Sequence, residues 1–285
     1  MAGDTAFVTQ YRDEFTHGFE QNQSVLKAMI NSDAQAKGNQ AVFDIVDSGG
    51  ATAVTRGVNG RIPSRTDNEN QVTVQLYEWH DKPIKTGFNI FASQGDGRRK
   101  MQETTRAVMN RKIDDDIIGA INLGANQYIA AGGNAASVYP ATVALVEGMI
   151  AKLARQDVDV DDPTKLICVA SPSFRAELYQ LQQFASRDFI DVKPLVGPVR
   201  QMIQWAGVMW LFSNRVQGVG TAAERITLFH RDAIGHCVNT GDMQVVAGYN
   251  EEDDYSFARS TIFMGSQVLQ QKGLVYSLHD GSAIG

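Results

Sequence analysis

Cysteine, proline and long apolar runs are all scarce in this sequence. Only two cysteines occur, Cys168 and Cys237, and each stands within an apolar stretch. This is typical of core packing in a reducing compartment and excludes a disulfide framework. No segment approaches the roughly 18 consecutive apolar residues that a membrane helix needs, so we predict no membrane association. The opening residues, "MAGDTAFVTQYRDEF", lack the basic region and apolar run of a signal peptide, which predicts retention in the cytosol.

Basic residues are not in excess either. The chain of 285 residues has 26 Lys and Arg against 32 Asp and Glu, a formal net charge of −6. Nonspecific nucleic-acid binding depends on clustered basic side chains that neutralise phosphates, so we predict that any contact with DNA is weak or incidental. The hydrophobic content of 43% is enough for a sizeable core, and the chain is therefore globular.

Helical and extended patterns follow one another without the regular βαβ order of a parallel sheet, which predicts an α+β fold. Helical spacing of apolar residues spans 5–30 and 96–124 and recurs in segments that begin at Pro140 and Ser171. Strand patterns occupy much of the rest: "AVFDIV", "TAVTRG" and "QVTVQLYEW" between residues 41 and 79, "TKLICVA" before Ser171, and a strand-rich region from residue 199 onward.

The first of these extended regions has too much apolar surface for a lone ribbon. In "QVTVQLYEW", Val72, Val74 and Leu76 share one face of the strand, whereas Tyr77 and Trp79 share the other. A two-stranded ribbon cannot bury both of its faces against itself and is marginally stable alone in water. We therefore predict that a second copy of the chain covers this ribbon.

Three consecutive acids, Asp114, Asp115 and Asp116, stand within the long helical pattern. Arg111 precedes Asp115 by four residues, and Lys112 precedes Asp116 by the same interval. No histidine or further carboxylate lies at ligand spacing nearby. The pattern favours a solvated, ion-paired helix face over a metal site or an acid–base site.

Other motifs give no defensible catalytic, cofactor or metal site. His230, His236 and Cys237 lie close together in "HRDAIGHC", but their spacing matches no common closed zinc site. "EEDD" at 251–254 lies between two predicted strands and indicates a solvated loop, with a cation shared between copies as the alternative. A soluble enzyme that uses Asp114–Asp116, or His230 with His236, is the least favoured alternative for the whole chain.

The order of elements resembles a known family. Carried by "VTRGVNGRIPSRTDNENQVTVQLYEWHDKPIK", "RRKMQETTRAVMNRKIDDDIIGAI" and "YSFARSTIFMGSQVLQQKGLVYSLHD", it is similar to that of tailed-bacteriophage major capsid proteins with the Hong Kong 97 fold. The resemblance covers nearly the whole chain. It rests on the order of elements and on their local character, since no signature motif is present.

The resemblance implies a domain organisation. Residues 1–40 correspond to an N-terminal arm that clasps an adjacent subunit, and residues 41–95 to an extended loop that lies over a neighbour. Residues 96–139 and 231–285 correspond to a peripheral domain that contains the long spine helix. Residues 140–230 correspond to an axial domain, whose tips meet at the centres of pentamers and hexamers.

It also implies a function and a set of partners. The expected function is that of a structural, non-catalytic subunit, which self-assembles into an icosahedral phage head around double-stranded DNA and resides in the virion after assembly in the host bacterial cytoplasm. Portal and decoration proteins are further expected partners. An encapsulin-like nanocompartment shell, which encloses a cargo enzyme, is the main alternative.

Two departures from the family pattern refine these expectations. Some members begin with a long charged coiled-coil scaffolding segment, and nothing here has that composition, so we expect a separate scaffolding protein. Some members join their subunits through a Lys–Asn isopeptide bond. The loop tip here, "SRTDNEN", has no lysine, and Lys82 and Lys85 lie towards the base, so we expect a noncovalent shell.

Five residues are our candidates for contacts between subunits. Arg56, Arg61 and Arg65 lie on the ribbon and are expected to pair with acidic groups of the next subunit, while Tyr77 and Trp79 are expected to act as apolar anchors. The alternative, that these arginines only keep an exposed ribbon soluble, stays open.

Overall fold

The fold is described from a computed structural model of the chain. The structure describes residues 24, 26–32, 34–48, 50–56, 58, 60, 62, 64–65, 67–87, 97–182, 202–239 and 244–282. Its α-helices are α1 (Gly97–Ile121), α2 (Val143–Ala154) and α3 (Pro172–Leu178). The strands are β1 (Gln35–Lys37), β2 (Gln40–Asp47), β3 (Asn68–Gln75), β4 (Tyr77–Asp81), β5 (Ile84–Thr86), β6 (Leu166–Ala170), β7 (Met202–Trp205), β8 (Val208–Phe212), β9 (Glu224–His230), β10 (Ile234–Val238), β11 (Gln244–Asn250), β12 (Tyr255–Val268) and β13 (Leu274–His279).

The described residues fall into two compact units. One draws on the ranges 1–24, 78–114 and 240–263, and the other on the ranges 25–77, 115–239 and 264–285. Helix α1 and strand β12 each contribute residues to both units. This mixture of helices and sheets confirms the α+β class.

The core of the second unit is built around a five-stranded sheet with the order β13-β9-β6-β8-β7. Strand β6 is central, pairs parallel with β8 and antiparallel with β9, and is buried at every position. Its sequence, "LICVA", is continuously apolar, as expected of a strand that is covered on both faces. Apolar side chains of α2 and α3 complete this core; those fully or nearly fully buried include Leu145, Leu153, Phe174 and Leu178.

Two further sheets are antiparallel in all of their registered pairings. Strands β1, β2 and β3 form a three-stranded sheet in that order, and β2 pairs with β3 over eight residues, from Gln40↔Gln75 to Asp47↔Asn68. The other sheet has five strands, with the long β12 between β10 and β11 and with β4 and β5 also paired to β12. Residues 251–254 form the turn between β11 and β12, as predicted for "EEDD".

Helix α1 carries the predicted apolar stripe. Met101, Met109, Ile113, Ile117 and Ile121 are all buried. They recur at intervals of four or eight residues, so one side of the helix is buried. The predicted range of 96–124 is therefore correct to within a few residues at each end.

Several local predictions differ from the structure. "TAVTRG" was predicted as a strand, but residues 51–56 form none, because β2 already pairs with β3 and leaves this segment no partner. Helix α2 begins after Thr142, whose side chain accepts a hydrogen bond from the Leu145 N–H, so Pro140 precedes the helix and is not in its first turn. The predicted N-terminal helix lies almost wholly outside the described residues, and Leu26–Met29 form a 3-10 helix.

Other boundaries were predicted correctly. Ser171 caps α3, where its Oγ accepts a hydrogen bond from the Phe174 N–H, and Pro172 occupies the first turn. Cys168 and Cys237 are buried free thiols. Within the described residues, no helix is long and apolar enough to cross a membrane.

At Gly265 of β12, the backbone of Gln75 approaches closely, and a substitution there tests the packing of β12. A Cβ atom at this position would lie 2.2 Å from the Gln75 carbonyl oxygen, which is main chain and cannot move cheaply. Gly265→Ala is therefore expected to reduce the free energy of unfolding by about 2–4 kcal/mol. Gly119→Ala is the matched control, because Gly119 is an exposed helical glycine with nothing within 4 Å of an added Cβ.

The control should stabilise the chain by about 0.5–1 kcal/mol through its higher helix propensity. Urea unfolding of the unassembled subunit measures both changes. A Gly265→Ala variant as stable as the wild type would contradict the close packing of β12.

Candidate subunit interface

Among the described residues, the hairpin of β2 and β3 is buried at its base and exposed towards its other end. At its base, Ala41, Phe43, Val74 and Leu76 are buried in a small cluster with Cys237. Farther out, the strands become exposed, and Asn68 donates a hydrogen bond from Nδ2 to Asp47 Oδ1 at 3.3 Å where the pairing ends. We define the connecting residues, 48–67, as the distal loop.

Apolar side chains project into solvent along this hairpin and its loop. Val54 and Ile62 are each 65% exposed, Val58 is fully exposed, and Val46 near the end of β2 is 63% exposed. Exposed aliphatic side chains are ordinary when scattered, but a succession along one segment marks an interaction surface. These residues were not among the contacts predicted from sequence, although the spacing of four between positions 54, 58 and 62 is a signal that could have identified them.

The predicted contact residues differ in their exposure and in their contacts within the single chain. Arg56 is exposed on the distal loop, as is Arg65, which pairs with Asp67 at 2.5 Å. Arg61 lies outside the described residues. Tyr77 is 59% exposed on β4, whereas Trp79 is half-buried, with the Lys112 ammonium 3.7 Å from the centre of its ring. The structure therefore leaves Arg56 and Tyr77 open to a partner and gives Arg65 and Trp79 contacts within their own chain.

The acidic cluster of α1 is not the solvated face that the spacing predicted. Asp114 is only 4% exposed and accepts a hydrogen bond from Ser24 Oγ at 2.6 Å. Both carboxylate oxygens of Asp115 accept from Arg215 Nη1, at 2.5 and 2.6 Å. The prediction was therefore wrong for Asp114, which is buried, whereas the Asp115 side chain stays 41% exposed beside Arg215.

Asp116 belongs to a partly buried polar chain that ends at the buried His236. The Ser266 hydroxyl donates to Asp116 Oδ2 at 2.6 Å and lies 2.8 Å from His236 Nδ1. Since the only hydroxyl proton of Ser266 is directed at Asp116, the His236 Nδ1–H donates to Ser266, and the second ring nitrogen carries no proton. That nitrogen, Nε2, is buried without a hydrogen-bond partner among the described residues.

The described residues contain no group of three or more His, Cys, Asp or Glu side chains that could hold a metal ion. His230 and His236 lie in different surroundings: His230 Nδ1 accepts a hydrogen bond from the Asp232 N–H, whereas His236 faces Ser266 and Asp116.

The same fold occurs in solved structures of phage shells. One from Mycobacterium phage Che8 has a TM-score of 0.73 at 14% identity, covering 97% of this chain and 98% of that chain. The capsid of cyanophage P-SCSP1u gives 0.72 at 13%, covering 97% and 94%, and the capsid of Ralstonia phage GP4 gives 0.67 at 12%, covering 98% and 97%. Identities this low concern the fold alone, and the fold is the Hong Kong 97-like fold of phage capsids.

The sequence identifies the family itself. The model of the phage capsid protein family matches residues 4–280, nearly the whole chain. The chain belongs to the phage capsid protein family and is a structural subunit of a virion shell. No curated protein matches the sequence. Family membership favours the phage shell over the nanocompartment and over the soluble enzyme.

The buried histidine provides a pH test of the structure. Burial, together with the smaller effect of the nearby Lys27, lowers the pKa of His236 from 6.5 to about 4, and Asp116 Oδ2 at 4.0 Å does not compensate. Because the folded pKa lies below the unfolded value, the unfolded chain binds more protons between these limits. Stability is therefore expected to fall as the pH drops from about 6.5 towards 4.

His236 should account for about 2 kcal/mol of the loss between about pH 7 and pH 5. The His236→Gln variant keeps a polar group but does not titrate, so its unfolding free energy should change less over that range. Denaturant unfolding at several pH values compares the two. Parallel pH profiles for variant and wild type would show that His236 is not the group responsible.

Proposed function

We propose that this chain is the major capsid protein of a tailed phage. Its copies would form the pentamers and hexamers of an icosahedral head that encloses double-stranded DNA. The observation that carries the proposal, beyond family membership, is the hairpin and distal loop, which present Val46, Val54, Val58 and Ile62 to solvent. A chain that functioned alone would gain stability by covering these side chains, whereas a shell subunit can bury them against a neighbour.

Many weak contacts together would hold the shell. Complete burial of an exposed valine or isoleucine stabilises a structure by about 1.5–3 kcal/mol, and a partly exposed one contributes less. One such contact cannot fix two subunits, because association costs several kcal/mol in lost freedom of motion. In a closed lattice each subunit makes the contact on both sides, and the contributions accumulate over many copies.

The assignment of regions follows the same proposal. Residues 41–95, which include the hairpin, would lie over a neighbouring subunit, and residues 1–40 would clasp an adjacent one. Residues 96–139 and 231–285 would form the peripheral domain, and residues 140–230 the axial domain.

Arg56, Arg61, Arg65, Tyr77 and Trp79 are proposed as contacts to the neighbour. Two of these residues, Arg65 and Trp79, already have partners within their own chain. Arg65 would have to exchange Asp67 for an acid of the next subunit, and Trp79 would contribute only the part of its ring that Lys112 leaves uncovered. Arg56 and Tyr77 are the stronger candidates, because both are exposed, whereas Arg65 and Trp79 are already engaged by Asp67 and Lys112.

The proposed partners are other proteins of the phage particle. A separate scaffolding protein would direct curvature, and a portal protein would occupy one vertex. Decoration proteins would bind the outer surface. The DNA would be enclosed without sequence-specific contacts, and the net charge of −6 predicts that any contact with its phosphates is weak. Assembly would take place in the host cytoplasm, and the subunit would act mechanically and not as a catalyst.

Negative-stain microscopy of the expressed protein, alone and with its scaffolding protein, tests the proposal directly. Closed polyhedral or tubular particles are expected. Nucleic acid in native particles would support a phage head, whereas a co-purifying enzyme would support a nanocompartment. A monodisperse single copy at high concentration, under both conditions, would refute a shell.

The distal loop provides a quantitative prediction. Val54→Thr together with Val58→Thr keeps the side-chain shape but replaces two exposed methyl groups with hydroxyls. If both side chains are buried on assembly, the change should cost about 2 kcal/mol per subunit and raise the critical concentration for assembly roughly 30-fold. Light scattering against protein concentration measures this value.

The matched control is Thr52→Ser together with Thr55→Ser, which alters the same segment at positions that are already polar. It should assemble like the wild type, and both double variants should unfold at the wild-type denaturant concentration. An unchanged critical concentration in the valine variant would exclude the distal loop from the interface.

Covalent joining of subunits is not expected. Lys82 Nζ donates to the Tyr255 hydroxyl at 3.2 Å and lies 4.8 Å from the centre of the Phe257 ring, so its amine is engaged within its own chain. Mature particles boiled in SDS should therefore migrate as the monomer. A ladder of multimers on the gel would contradict a noncovalent shell.

A further inference from the structure

Arg225, at the start of β9, carries a buried positive charge that has few polar contacts among the described residues. Its residue is 9% exposed, and burial lowers the pKa of the guanidinium, an effect that the Tyr276 phenol partly offsets. Its Nη2 donates to the Gly124 carbonyl oxygen at 2.6 Å. Its Nε is buried without a hydrogen-bond partner, and no carboxylate among the described residues forms an ion pair with it.

The adjacent acid does not provide the missing charge. Neighbouring side chains of a strand point to opposite faces, so Glu224 and Arg225 face away from each other. Glu224 is fully buried and accepts hydrogen bonds from Ser171 Oγ, from Ser173 Oγ at 3.2 Å and from the Gly220 N–H at 2.7 Å. The carboxylate is thus satisfied on its own side, and the guanidinium is left unpaired on the other.

The aromatic partner of Arg225 holds the guanidinium in a fixed plane. Its Cζ lies 3.7 Å from the centre of the Tyr276 ring, which is a cation–π contact. The stacking covers one face of the guanidinium, and Gly124 occupies one nitrogen at its edge. Such a preoriented planar cation matches the geometry of an oxyanion ligand.

We infer that Arg225 binds a side-chain carboxylate from a second copy of this chain. Buried charges in proteins are normally paired, and a carboxylate is the usual partner of an arginine. The inference deepens the proposed function and rests on it, since the second copy is supplied by shell assembly. It assigns a polar contact to a part of the subunit away from the distal loop.

A carboxylate fits this position better than a phosphate of nucleic acid. The chain has more acidic than basic residues, 32 against 26, so its copies offer carboxylates and repel polyanions. A single flexible side chain can also enter a nine-tenths buried position. The backbone of a duplex would have to approach as a bulky rod.

Arg225→Met tests the inference, because it keeps an unbranched apolar side chain at this position and removes the charge. In the unassembled subunit the variant should unfold at the same denaturant concentration as the wild type or at a higher one, since an unpaired buried charge is lost. In assembly it should raise the critical concentration by about tenfold or more. Arg259→Met, which removes an exposed strand arginine, is the control and should change neither value.

Free acetate serves as a direct probe that does not require assembly. At about 200 mM, acetate should raise the thermal midpoint of the unassembled wild type by about 1–2 °C over chloride at equal ionic strength. The Arg259→Met control should show the same rise and Arg225→Met none. If wild-type subunits form no shells, the proposed function fails, whereas the acetate measurement still decides whether Arg225 binds a carboxylate.

Four results would overturn the inference. The first is no acetate effect in the wild type, and the second is an acetate effect that persists in Arg225→Met. The third is stabilisation by inorganic phosphate but not by acetate, which would point to a phosphoryl ligand. A fall in the unfolding midpoint of Arg225→Met with unchanged assembly would assign Arg225 a structural role within its own subunit.

Discussion

The one-sided anchorage of the β2–β3 hairpin is the constraint on which the function of this chain depends. Eight paired residues give the hairpin regular backbone hydrogen bonds along its length, but the buried cluster with Cys237 covers only its base. Backbone pairing without burial gives little net stability in water. The outer half is therefore left exposed in the single chain, and under the proposed function a neighbouring copy would cover it.

The acidic turn of α1 shows how the same chain secures segments that are distant in sequence. Asp114 binds Ser24, which is 90 residues away, Asp115 binds Arg215, which is 100 away, and the partner of Asp116 is 150 away. Consecutive helical residues are separated by about 100°, so neighbouring acids point in different directions. A run of three acids can therefore serve three separate segments, and that use differs from a metal site, where the carboxylates converge.

Local regularity explains what the sequence predicted well. The stripe of α1, the continuous apolar run of β6 and the Ser171–Pro172 helix start are each encoded by residues near one another in sequence. The partners of Asp114–Asp116 come from distant segments and cannot be identified from local spacing. The intervals to Arg111 and Lys112 are the same whether the acids face solvent or distant segments. "TAVTRG" fails for a related reason: alternation predicts a strand only where a pairing partner exists.

The candidate interface was the least accessible part from sequence. Periodicity identifies apolar residues that suit burial, but it does not say which of them the single chain leaves uncovered. Tyr77 and Trp79 look alike in the pattern, yet one is exposed and the other lies against Lys112. Val54, Val58 and Ile62 lie among polar and glycine residues. The segment therefore has the pattern of a turn-rich loop, and its regularly spaced apolar residues are easily overlooked.

A shell subunit must remain soluble before it assembles and must bind its neighbours when it does. The composition of the distal loop suits both requirements. The apolar residues at 54, 58 and 62 are separated by polar or charged ones, so no long apolar run forms that would pair with any passing strand. Each exposed side chain is weakly adhesive alone, and the surrounding charges keep chance encounters brief. Only a neighbour that meets several of them at once, in the repeating geometry of a closed lattice, gains enough burial to stay bound. Selectivity for the correct partner thus follows from the need for simultaneous contacts and not from the strength of any one of them.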